Sequence, residues 1–291
     1  PDWRSLRIDT RTMSHVDPKQ IEVWLRECNY NEDHDDFRVR VRGLPRKSSK
    51  DSIIGIESVQ AALDRKIDLN SIRSLPVILT CDPAWDGGDE TVIGYRQGPY
   101  FKLLERHTLN RARNEDHMIT FTKLCEWYHK LGADIVFIDQ AEGTAIKTLA
   151  NAEGRSNWHL ISFASSPWDT PETKDSQYGN LRAQMYYSAR DWLMEGAILD
   201  CENEEDREMF GKQICWTKGT RHVKTLKKLA EEKKEIKSRV GRSPDLADCF
   251  VLSFARPIYE RLPENQTDAY KNHEVDNQMP TYDPYAGMDS L

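Results

Sequence analysis

The chain is poor in apolar residues. Of its 291 residues 38% are hydrophobic and 31% charged, and its apolar runs fall well short of the ~20 residues that a membrane-crossing helix needs. No segment is therefore expected to span a bilayer, and long polar stretches must surround a compact core. There is no CxxC pair among the six cysteines, and several of these sit inside apolar runs. Buried free thiols in a reducing cytoplasm are expected, rather than disulfides or a zinc site. The opening, PDWRSLRIDT, lacks the pattern of a signal peptide. Internal repeats are missing. So is a GxxxxGK[ST] phosphate loop: the one Gly-Lys pair, Gly211-Lys212, has neither the upstream glycine nor the following Ser or Thr, which excludes ATP hydrolysis by that route. A basic excess is missing too. The 41 Lys and Arg stand against 48 Asp and Glu, a formal charge of −7, which argues against a simple nucleic-acid coat.

The charge that is present is uneven. Residues 218–239, KGTRHVKTLKKLAEEKKEIKSR, hold nine Lys or Arg against three Glu. Such a strip can bind phosphates even on an acidic protein, although it also reads as a solvated helical face. The hydrophobic pattern predicts helices over 17–28, behind an Asp cap, and over 52–66, with an alternating strand at 36–43 between them. Beyond residue 75 the pattern sharpens. Strands are predicted at 75–84, 91–98 and 100–109, a helix at 114–132, strands at 133–140 and 157–164, and helices at 179–196 and 203–214. These make an α/β plan: a hairpin meander followed by a crossover helix, which sets the 133–140 strand parallel to the 75–84 strand. The expected organisation is an irregular leader over 1–72, the main domain over 73–262, and an acidic, aperiodic tail over 263–291 that is expected to be disordered.

The last helix carries a contradiction. GRSPDLADCFVLSFA (241–255) is nearly all apolar, with Ser243 predicted as N-cap and Pro244 at the first helical position. Such a helix should be buried, yet it holds Asp245 and Asp248. Ala247, Phe250, Val251 and Phe254 define one face, with Asp248 at its border and Asp245 flanking, turned away. Asp82 and Asp139 each end an apolar strand, at the C-terminal edge where α/β sheets bind ligands. Singly, each of these carboxylates also reads as a strand end or a helix cap. Together in a half-buried place they would repel one another, and each ionised group would cost several kcal/mol uncompensated. A hard divalent cation, Mg²⁺ or Mn²⁺, is the natural compensation. Two such ions about 3.5–4 Å apart can hydrolyse a phosphodiester.

These residues, in this order, resemble the nuclease domain of tailed-bacteriophage terminase large subunits. The resemblance rests on CDPAWDGGDETVIG (81–94), VFIDQAEGTAI (136–146), NLRAQMYYSARDWLMEGAI (180–198) and GRSPDLADCFVLSFA (241–255), and covers roughly residues 75–256. RVRVRGLPRKSS and the 52–66 helix are similar to the segment joining that family's ATPase to its nuclease. The resemblance implies an RNase H-like fold, a mixed central sheet with an antiparallel meander flanked by helices. It implies a two-metal endonuclease with Asp82, Asp139 and Asp248 as metal ligands, Asp245 as an accessory acid, and Mg²⁺ or Mn²⁺ as cofactor. The implied substrate is concatemeric double-stranded viral DNA, cut during genome packaging in the cytoplasm of the infected host. The implied partners are DNA, the portal protein and the small terminase subunit. The nuclease part alone is expected to be a monomer, and the full-length protein a ring on the portal. The family's packaging ATPase has no counterpart here. With Pro1 rather than Met at its start, the chain is read as the C-terminal part of a larger protein.

Lys224, Lys227, Lys228 and Arg182 are the expected contacts to the DNA backbone. Such contacts carry no base information, so cleavage should be salt-sensitive and nearly sequence-independent. Asp86 and Asp89 are expected to form a turn, His222 to lie on the surface, and Trp85 is the candidate for stacking on DNA. Two competing readings are another RNase H-like enzyme, such as a resolvase or transposase, and a non-enzymatic docking module of a packaging motor.

Overall fold

A computed structural model describes residues 7–28, 30, 32, 35–44, 51–84, 89–108, 113–168 and 177–258. Helix α1 (Pro18–Glu27) begins where the sequence places it: the Asp17 carboxylate accepts from the Lys19 N–H and Pro18 fills the first helical position. The strand expected over 36–43 is instead helix α2 (Asp35–Arg40). Its Arg-Val alternation is real but does not decide the matter. Phe37 and Val41 stand four apart and are buried together with Cys28 against Ile21, Trp24 and Leu25, a spacing that serves one helical face. Helix α3 (Ile56–Asp64) follows. Its Val59, Ala62 and Leu63 join the same core as the later helices, so this helix, assigned to the leader by sequence, packs on the main body.

The meander is β1 (Val77–Asp82), β2 (Thr91–Gln97) and β3 (Tyr100–His107). Gly98 takes φ 53° in the two-residue turn between β2 and β3, a conformation glycine adopts without strain. Helix α4 (Arg113–Leu131) crosses over to β4 (Ile135–Asp139), which pairs parallel with β1 as expected. Then come α5 (Gln140–Ala152), β5 (Trp158–Ile161), α6 (Leu181–Met194), β6 (Ile198–Asp200) and α7 (Glu204–Ile214). The basic segment forms a ribbon of β7 (Gly219–Arg221) and β8 (Lys228–Ala230), then α8 (Lys233–Val240), before the last described helix, α9 (Asp245–Leu252). The six-stranded sheet runs β5-β4-β1-β2-β3-β6, and β2 alone opposes the other strands. Sequence missed β6, a three-residue strand too short to show a period.

The two faces follow from the two-residue period of a strand. Val77, Leu79 and Cys81, with Val136 and Ile138, pack beneath Phe121 and Leu124 of α4 and Ile146 and Ala150 of α5. Ile78 and Phe137 point the other way, into a core shared with α3, α6, α7 and α9. Helix α9 starts one residue later than the sequence suggests. Pro244 is its N-cap and makes no side-chain capping bond, while the Ser243 hydroxyl is buried and, among the described residues, without a partner. The expectation that α9 is buried all round holds for every residue from Asp245 to Leu252. Phe250 is its anchor, with ring centroids 5.0 Å from Phe101, 5.6 Å from Phe254, 5.8 Å from Trp192 and 5.9 Å from Phe210. Truncating this fully buried ring should cost about 3–5 kcal/mol. Urea unfolding of Phe250→Ala is expected to show that loss, whereas Val23→Ala, at an exposed site, should stay within about 0.5 kcal/mol of the parent.

Candidate active site

The same period that divides the faces aims the strand carboxylates. Asp82 is even with Ile78 and Thr80, and Asp139 with Phe137, so both side chains leave the sheet on the α9 side. Cys81 pairs with Ile138 in register, which sets Asp82 and Asp139 next to each other one step further, on strands about 4.8 Å apart. Helix α9 lies over this edge, fixed in part by a 3.3 Å contact between Thr80 Oγ1 and Cys249 Sγ.

Asp248 is fully buried. Its Oδ1 accepts from Arg182 Nη1 at 3.0 Å and from the Tyr186 hydroxyl at 2.8 Å. Arg182 and Tyr186 are one turn apart on α6. Arg182 Nε also donates to the Glu231 carbonyl at 3.0 Å, so the guanidinium bridges α9 to the end of β8. Among the described residues Oδ2 of Asp248 has no hydrogen-bond donor; the ammonium of Lys233 stands 3.8 Å away. That ammonium is the focus of the group, 2.9 Å from Asp245 Oδ1 and 3.2 Å from Asp82 Oδ2. Asp245, expected to turn away, is buried and faces in; its Oδ2 accepts from the Glu90 N–H at 3.0 Å and so ties down the strand entrance after the β1–β2 turn. Asp139 is half-buried and caps α5, accepting from the Ala141 N–H at 3.3 Å.

The electrostatics follow from this crowding. Burial raises Asp82 well above the usual carboxylate range; Lys233 opposes the rise, and Asp139, Asp245 and Asp248 add to it. Asp139 is raised by burial as well, with its own helix N–H and Lys233 working against the shift. Lys233 is held well above its ordinary value despite partial burial, because Asp82, Asp248 and Asp245 surround it. Four carboxylates against two cations, Lys233 and Arg182, leave two negative charges uncompensated when all are ionised. Among the described residues no three acidic, His or Cys side chains form a ready-made metal cage; an ammonium stands among them. The donor set nevertheless fits a hard divalent cation: all oxygen, doubly negative in excess, and with one buried carboxylate oxygen lacking a donor.

Other expected residues fall elsewhere. Arg182 is corrected: it is buried against Asp248 and is not a surface phosphate contact. Lys224 and Lys227 lie in the β7–β8 tip. Lys228 lies at its root, donating to Gln177 and resting over the Tyr178 and Tyr187 rings. Asp89 pairs with Lys237 at 2.7 Å. Asp86 and Trp85 lie outside the described residues. Sequence reasoning missed Lys233 and Tyr186. Nothing distinguishes Lys233 from eight other basic residues of its strip, whereas Tyr186, four residues after Arg182, shares its helix face and could have been found from that spacing.

No protein-family model and no curated protein matches the chain. Solved structures do. The nuclease domain of the large terminase subunit gp2 of bacterial virus Sf6 superposes with a TM-score of 0.57 at 20% identity, over 71% of this chain and 100% of that one. A point mutant of the same domain, solved with manganese and beta-thujaplicinol, gives 0.59 at the same identity and coverage. A mutant form with calcium gives 0.56. The mixed sheet, its antiparallel meander and its flanking helices therefore share the RNase H-like fold of the nuclease domain of phage large terminase subunits.

Proposed function

We propose that this chain is a divalent-metal-dependent endonuclease that cuts concatemeric double-stranded DNA during viral genome packaging, the nuclease part of a terminase large subunit. The convergence of Asp82, Asp245 and Asp248 on one ammonium, beside Asp139, carries this reading. The fold shared with a domain solved with manganese supports it. Asp82, Asp139 and Asp248 would hold the ions, with Asp245 at their side; bound Mg²⁺ or Mn²⁺ would supply a Lewis acid that activates water and stabilises the leaving oxygen.

The chain's own residues do the positioning. Arg182 and Tyr186 fix one oxygen of Asp248 and leave the other directed at the cluster. Asp245 holds the Glu90 backbone, just ahead of β2, against the site. Lys233 draws Asp82, Asp245 and Asp248 together around one positive charge and opposes the rise that burial imposes on Asp82. The side chain is about a third exposed, at 37%, and so lies where a bound divalent cation would take over its charge. Lys224 and Lys227 would take the DNA backbone. The cellular setting proposed is the cytoplasm of an infected host, with the portal and the small terminase subunit as partners.

Supercoiled plasmid with Mn²⁺ or Mg²⁺ tests the assignment. Asp82→Asn, Asp139→Asn and Asp248→Asn are each expected to lose more than about 100-fold in nicking, and Tyr186→Phe about 10-fold, the range for an outer partner of a metal ligand. EDTA should abolish cleavage. An Asp248→Asn protein that nicks at the native rate sinks the proposal. Removing the ammonium has the opposite signature. In EDTA, Lys233→Met should melt lower by about 3 °C or more, each kcal/mol being worth about 2–4 °C at this size. Saturating Mn²⁺ should raise its melting temperature by more than it raises that of the parent, since an ion that binds only the folded state stabilises it.

A further inference from the structure

The β7–β8 ribbon ends in two exposed apolar side chains that no core needs. Val223 is 91% and Leu226 64% exposed. Leu226 adopts φ 56°, a left-handed conformation unusual for a residue with a branched side chain. The loop is nonetheless held by its own bonds: His222 N–H to the Lys227 carbonyl at 2.9 Å, Leu226 N–H to the His222 carbonyl at 2.8 Å, Thr225 N–H to His222 Nδ1 at 3.2 Å, and Arg221 Nη1 to the Leu226 carbonyl at 3.2 Å. From Lys218 to Ala230 there are five Lys or Arg and no acidic residue, in a chain of net charge −7.

The ribbon is rooted at the carboxylates. Tyr178 bridges to Lys228, Gly179 N–H donates to the Lys228 carbonyl, and the Glu231 carbonyl takes the bond from Arg182 that steadies Asp248. Leu226 stands four residues before Ala230, of which Lys228–Ala230 are the strand β8, so the tip is at most about 14 Å from Ala230 at ~3.4 Å per residue, the rise of about four base pairs. A duplex seated on the carboxylates would have this tip within a few base pairs of them. A basic ribbon presenting two small apolar side chains matches the devices that unstack a base step and bend DNA, in which cations hold the phosphates and an apolar wedge enters the stack. Two side chains of this size would give a protein partner little area to bury.

Building on the nuclease reading for the nature of the substrate, we propose that the β7–β8 tip is a duplex-distorting wedge. Val223 and Leu226 enter a base step while Lys224 and Lys227 grip the phosphates on either side. The wedge makes easily unstacked steps the preferred sites of engagement, a bias that backbone contacts alone do not give.

Binding in EDTA to short duplexes carrying 2-aminopurine, with and without one mismatch, tests this without cleavage. The native chain should raise 2-aminopurine fluorescence and bind the mismatched duplex about 10-fold tighter, because a mismatch lowers the cost of unstacking. Val223→Ser with Leu226→Ser should lose both effects, keep its affinity for the matched duplex within about 2-fold and, both sites being exposed, keep its melting temperature. Lys224→Ala with Lys227→Ala should weaken both duplexes alike and flatten the salt dependence. If the native chain binds both duplexes equally with no fluorescence change, or the serine variant keeps the preference, the wedge is overturned and the nuclease reading stands. If the native chain binds no duplex at all, both fall.

Discussion

The whole site hangs on one carboxylate kept from water. Asp248 sits on a helix buried on every side, so its charge depends on other segments for compensation. Two donors on α6 hold one oxygen, and an ammonium at the start of α8 faces the other. Breaking such a buried pair from one side costs about 3–5 kcal/mol, because the charge left behind has nowhere to go. This requirement fixes the angle at which α9 meets α6, and with it the approach of α9 to the sheet edge bearing Asp82 and Asp139. The aromatic cluster around Phe250 supplies apolar burial, but the charge network decides which way the helix faces.

A second constraint is parity. A one-residue slip of β1 or β4 would send Asp82 or Asp139 to the α4–α5 side. The slip is resisted because Leu79, Cys81, Val136 and Ile138 would then face the α9 side in place of Ile78 and Phe137. The acidic residues stay aimed because their apolar neighbours are sorted. Functional precision here is inherited from hydrophobic alternation.

Most of this was legible in the residues, for reasons that differ by element. The strands ending at Asp82 and Asp139 were plain, because a buried parallel strand is a continuous apolar run with an abrupt polar end. Helix α9 was plain because apolar residues crowd it all round, although its first residue was misplaced by a serine whose hydroxyl turns inward. The 36–43 segment misled because alternation of Arg and Val mimics a strand, when Phe37 and Val41 were the pair that mattered. Arg182 was seen as a cation but placed on the surface; its burial depends on a partner 66 residues away. Lys233 was hidden in its strip, since its role is set by where the ribbon returns to the sheet and by no local pattern.

The four carboxylates are also ordered in time. Asp82 and Asp139 belong to strands that precede the last described helix, which carries Asp245 and Asp248, by more than a hundred residues of chain. Domains assemble as their segments leave the ribosome, at about 5–20 residues per second. Until α9 has emerged and inserted beneath α6, the sheet edge holds only half of the acidic group, and the α6 donors Arg182 and Tyr186 lack their carboxylate. In such a layout the acidic group is completed by the last described helix, so the site exists only once the rest of the fold is in place.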